Sequence, residues 1–139
     1  MKFPSFSLLV VVLFAHPLLA QGVGPEPLYK SRILKSGDAE RLLSIEVELQ
    51  RRDLYLVVSS EGNGSHDWSN WIEPELVMKD GAIVDLTAQS WRAAFSTVGA
   101  IKHGKTYRGG PMTVAGKEYT RGLGTHADSF IWFCLLYTS

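Results

Sequence analysis

The residues best able to do chemistry lie in the run Thr-Arg-Gly-Leu-Gly-Thr-His-Ala-Asp-Ser at positions 120–129, where Arg121, His126 and Asp128 are interleaved with Gly122 and Gly124. Guanidinium, imidazole and carboxylate in one short run offer fixed donors, fixed acceptors and a group that titrates near neutrality. The two glycines reach backbone angles closed to other residues and let another chain or a ligand come close. The run therefore reads as a shaped loop able to rim a small ligand. His126 has a plainer use as well, as a neutral ring bonding backbone to hold the glycine-spaced segment.

Aromatic side chains supply the other half of a ligand site. The four tryptophans, Trp68, Trp71, Trp91 and Trp132, all fall in the second half of the chain. A sugar is recognised by a flat ring against its C–H face and by a few convergent donors and acceptors around its hydroxyls, each good hydrogen bond contributing about 0.5–1.5 kcal/mol net. Trp68 or Trp71 with Arg121, His126 and Asp128 supplies that set. Trp71 and Trp91 serve equally well as core filling, because sandwich cores need large rings.

Catalysis fits these residues poorly. His126 with Asp67 or Asp128 is a conceivable acid and base pair and Cys134 a conceivable nucleophile, but nothing in the spacing sets a nucleophile beside its base. Asp67, Asp85 and Glu118 are the carboxylates available for flanking a glycosidic bond, and they are scattered as in any sandwich. His66, His103 and His126 lack transition-metal ligand spacing. The expectation is a non-catalytic binding protein.

Bulk properties narrow its partners. Lysine plus arginine equals aspartate plus glutamate, 14 against 14, so no long-range field gathers nucleic acid or an anionic membrane. A positive start at Lys2, an apolar stretch over residues 8–14 and a break ending at Ala20 read as a secretory signal peptide over residues 1–20, placing the mature protein outside the cytoplasm, secreted or periplasmic. The apolar run over residues 7–15 is short of the about 20 residues needed to span a bilayer, and no later segment is apolar enough, so no membrane attachment is expected after signal removal. Cys134 is the single cysteine and cannot close an internal disulfide; the core or a bound ion must hold the domain together.

The elements that would position the candidates are short strands. Residues 21–38, with Gly22, Gly24, Pro25 and Pro27, read as a linker. Leu43, Ile45, Val47 and Leu49 alternate with Ser44, Glu46, Glu48 and Gln50, as in a strand with one wet face; a helix with Leu42, Ile45 and Leu49 on one side behind Asp38 is the alternative. Residues 54–58 form a continuous apolar run suited to a strand buried on both faces. Asn63, Gly64 and Ser65 fit either a glycosylation acceptor or a turn. Hairpins are expected over residues 76–86 and 112–119, a basic loop of solvated charge over 102–110, and a last strand from Phe130. Short strands at close spacing without helical period predict an all-β sandwich.

Two segments resemble the NPCBM domains, a family of carbohydrate-binding modules attached to secreted glycoside hydrolases and other large exported proteins. Asp67, Trp68 and Trp71 with Pro74 and Leu76 resemble its Asp-Trp-x-x-Trp-x-x-Pro-x-Leu segment, and residues 116–129 resemble its Gly-Lys-x-Tyr-x-x-Gly-Leu-Gly-x-His-Ala-x-Ser signature. The resemblance runs from about Leu43 to Phe133. It implies a jelly-roll-like β-sandwich over residues 39–133 that binds carbohydrate, in some relatives galactose-containing glycans, with a structural calcium ion whose ligands it does not name. It also implies further strands after the histidine signature, so the expectation is a sandwich incomplete at its C-terminus, a downstream domain missing, and a tail over residues 134–139 foreign to the domain. An accessory sandwich for protein contacts, without a sugar site, is the alternative.

Overall fold

The computed structural model describes residues 10–12, 27–35, 38–39, 42–49, 52–60 and 67–135. The expected signal peptide lies outside the described residues except for residues 10–12. Much of the linker, the Asn63, Gly64 and Ser65 triplet, His66 and residues 136–139 also lie outside them.

Regular structure among the described residues is β throughout, save a 3₁₀ turn at Leu86–Ala88 and 3₁₀ backbone at Leu135. In chain order the strands are β1 (Val10–Val12), β2 (Asp53–Val58), β3 (Trp68–Ile72), β4 (Glu75–Val77), β5 (Ile83–Asp85), β6 (Ala93–Ser96), β7 (Lys102–His103), β8 (Met112–Val114), β9 (Lys117–Tyr119), β10 (Gly122–His126) and β11 (Ser129–Cys134). Their order is β1-β2-β11-β6 in one sheet and β3-β10-β7 in a second, with β4-β5 and β8-β9 as separate hairpins; every pairing is antiparallel. The core draws Leu54, Leu56, Val58, Ile131 and Phe133 from the first sheet and Trp71 and Leu123 from the second, joined by Leu86 and Ala127. The result is the expected all-β, sandwich-like fold, with both expected hairpins in place.

Period-two burial explains the first sheet. Leu54, Leu56 and Val58 of β2 are buried and lie opposite Phe133, Ile131 and Ser129 of β11, all pointing into the core. The expectation of a strand buried on both faces is corrected. Asp53, Tyr55 and Val57 are only half-buried, because neighbouring side chains shelter them instead of a second layer; the Tyr55 ring stacks on Trp132 at 5.3 Å. Residues 42–49 keep their alternation, with Ile45, Val47 and Leu49 packed on the core and Ser44, Glu46 and Glu48 exposed, yet they form extended chain and not a laddered strand. Side-chain pattern sets which face is buried; a strand also needs a neighbour for its backbone groups.

The larger correction concerns the run at 120–129. It is not a loop. Its centre is β10, the middle strand of the second sheet, with all five residues buried. Leu123 and Thr125 face the core side, while Gly122 and Gly124 lie under the chain that crosses the opposite face. A Cβ on Gly124 would collide with the carbonyl oxygen of Lys105 and the backbone of Thr106, and one on Gly122 would meet Trp71 O at 2.7 Å and the Met112 methyl at 2.7 Å. The glycines do permit a close approach, and the approaching chain is the domain's own segment over residues 104–112.

Candidate functional site

That crossing segment assembles the one group of expected site residues that meet. Trp68 and His126 are register partners on β3 and β10, so their side chains share the outer face of the second sheet. Tyr107 lies edge-on to both, 5.0 Å from the Trp68 ring and 4.9 Å from His126. The Arg108 guanidinium lies 4.4 Å from the centre of the Trp68 ring, and its Nε donates to the Tyr107 hydroxyl at 3.0 Å. Cation over indole and aromatic edges packed at right angles both match the quadrupole of the rings.

Exposure grades outward through this group. His126 is buried, Trp68 and Tyr107 are half-buried, and Arg108 is exposed. The imidazole Nδ1 lies 2.6 Å from the Ala127 carbonyl, which requires the proton on Nδ1. Among the described residues, Nε1 of Trp68 and Oδ1 of Asn70, which alternate along the same face of β3, are buried without a hydrogen-bond partner; Nε1 of Trp71 on the other face is too. A buried donor left unpaired costs roughly 1–3 kcal/mol, so these atoms mark places where a polar partner is favoured.

The other three expected residues sit elsewhere. Trp71 is a core side chain at 2% exposure, opposite Leu123. Arg121 precedes β10, at the end of that strand away from His126, and gathers Glu75 at 2.5 Å, Asp85 at 3.4 Å and Glu73 at 4.0 Å. These contacts tie the β4-β5 hairpin to β10, and the bond to Glu75 raises the Arg121 pKa above its usual value. Asp128 is a strut: one carboxylate oxygen accepts from the Ser60 backbone N–H at 2.7 Å and its hydroxyl at 3.2 Å, while its carbonyl accepts from the Thr97 N–H and hydroxyl at 2.9 Å.

The same placements bear on acid–base and metal chemistry. Asp128 and His126 point their polar atoms at different partners, and Asp85 is engaged by Thr87 and Arg121. Among the described residues no three His, Cys, Asp or Glu side chains converge as metal ligands. Glu73, Glu75 and Asp85 already surround a guanidinium, so these three do not fit a carboxylate-built calcium site.

Tyr107 and Arg108 were hidden in what reads as a solvated basic loop. The available signal was an aromatic next to a cation between Gly104 and the Gly109, Gly110 pair, all within reach of a glycine-spaced strand.

With this geometry in hand, the comparison with known families finds a match over residues 83–136. This segment matches the NPCBM/NEW2 domain. Neither the curated proteins nor the solved structures give a match. The NPCBM/NEW2 match takes in Tyr107, Arg108, Arg121 and His126, and its family is one of carbohydrate-binding modules. Trp68 stands upstream of the matched segment, brought to it by the pairing of β3 with β10. Among the described residues no helix is long and apolar enough to cross a membrane.

Proposed function

We propose that this chain is a non-catalytic carbohydrate-binding module of a secreted protein and that sugar docks on the group formed by Trp68, Tyr107 and Arg108. One observation carries the reading: an exposed guanidinium stacked on an indole whose own N–H is buried and unpaired. Stacking pre-orders the long arginine side chain, so its free N–H donors meet sugar hydroxyls with less entropy lost. His126 is a positioning residue, holding Tyr107 from beneath with a fixed tautomer. The module's role is to tether a larger exported protein or glycoside hydrolase to glycan, with galactose-containing glycans the first class to try.

The alternative, protein contact without a sugar site, draws on the outward face of the first sheet. There Phe95, half exposed, stacks on Phe130 at 6.1 Å, beside Tyr55 and Trp132. A glycan array with the full chain separates the two. Retention of one sugar class supports the module; no retention on any glycan, with a protein partner recovered instead, reverses the ranking.

A further inference from the structure

We infer that the protein carries a second, independent contact for a neutral sugar, in the cleft lined by Thr87, Ala88, Gln89, Ser90, Trp91 and His103. The inference rests on the carbohydrate-binding reading but not on the Trp68 group.

The cleft is open and has a volume of about 470 Å³, within the roughly 300–1,000 Å³ of small-ligand sites. One wall is a ring pair: Trp91, half-buried against the core, lies parallel to the exposed His103 imidazole at 5.0 Å with 14° between planes. The facing wall is the turn after β5, which offers hydroxyl and amide groups. The side chains of Gln89, Ser90 and His103 have no hydrogen-bond partner among the described residues, so their donors and acceptors are available.

The wall is also rigid. Asp85 accepts from the Thr87 N–H at 2.8 Å and its hydroxyl at 2.7 Å, and the Gln89 N–H donates to Leu86 O at 3.2 Å. Leu86 is buried, and the Arg92 N–H holds Trp132 O at 2.7 Å just beyond Trp91. Residues 87–91 are thus pinned at both ends, which lowers the ordering cost of binding. No acid, lysine or arginine lines the cleft, which favours an uncharged ligand over a phosphate or sulfate. The stacked Trp91 and His103 rings beside amide and hydroxyl groups suit a hexopyranose, with its C–H face against the exposed side of this ring pair and its hydroxyls toward Gln89 and Ser90.

The test is a titration of the full, isotope-labelled chain with lactose, cellobiose and N-acetyllactosamine, followed by NMR at the Trp91 indole N–H, the Gln89 amide and the Arg108 guanidinium. The expected result is saturable shifts at Trp91 and Gln89, weakened about fivefold in Gln89→Ala and unchanged in Arg108→Ala. Shifts confined to Trp68, Tyr107 and Arg108 overturn this inference and leave the module reading standing. Shifts nowhere with any of the three sugars overturn the inference, and silence on the glycan array as well removes the reading beneath it. If Gln89→Ala does not fold, Ser90→Ala on the exposed rim replaces it with the same expectation.

Discussion

Arg108 stands over Trp68 with 4.4 Å between guanidinium carbon and ring centre, joining the segment that crosses the second sheet to the first strand beneath it. The contact spans forty positions of chain and exists because two glycines in β10 let the crossing segment lie flat. Without that close approach, neither Tyr107 nor Arg108 reaches the indole.

The first prediction follows from Gly124. A methyl group there has nowhere to go, since the obstructing atoms belong to the backbone of Lys105 and Thr106 and not to a movable side chain. Gly124→Ala should cost about 3 kcal/mol, the upper end for overpacking, seen as a fall in urea midpoint together with loss of near-ultraviolet circular dichroism from the Trp68 group.

Trp71 is expected to behave as core. Trp71→Ala should destabilise by about 3–5 kcal/mol, measured by chemical denaturation. Trp71→Phe should recover most of that loss and leave sugar affinity unaltered, which a binding residue would not do.

How much of this was legible beforehand follows from what sequence patterns encode. Alternation at residues 42–49 marks faces, the apolar run at 54–58 marks a strand, and turn residues mark hairpins, so the all-β class and both hairpins could be read, whereas the one-sided burial of β2 could not. The strand character of β10 could not, because Gly122 and Gly124 in a polar run signal a loop unless the covering segment is known. For the same reason Arg121 and His126 read as neighbours on one rim, whereas β10, which starts just after Arg121 and ends at His126, carries them to opposite ends. Which tryptophan is core and which is accessible depends on cross-strand partners, here Leu123 for Trp71 and His126 for Trp68.

Acid should loosen the β4-β5 hairpin. The Thr87 hydroxyl, its backbone N–H and Arg121 hold the Asp85 carboxyl below the usual carboxylate range, against a desolvation effect that opposes them. A depressed folded pKa stabilises above the unfolded value of 3.8 and is lost as pH falls through the folded value. Tm should therefore be flat through neutrality and decline below about pH 4, with a shallower decline in Asp85→Asn. A profile identical in the two proteins would show that Asp85 does not contribute.

The turn joining β8 and β9 stores a local cost. Ala115 has φ of 48° and Gly116 of 80°, a two-residue turn with both central residues in the left-handed region. Ala115→Gly should raise stability by up to about 1 kcal/mol, read as a Tm increase of a few degrees with no change in sugar affinity.

The account stands most directly on the affinity of the best glycan from the array for wild-type protein and for Arg108→Ala, measured by isothermal titration with thermal melting as a control. Arg108 is exposed and forms no strand, so the variant should melt within about 2 °C of wild type while binding about tenfold more weakly. Equal affinities in two equally folded proteins would contradict the assignment of sugar docking to the group around Trp68.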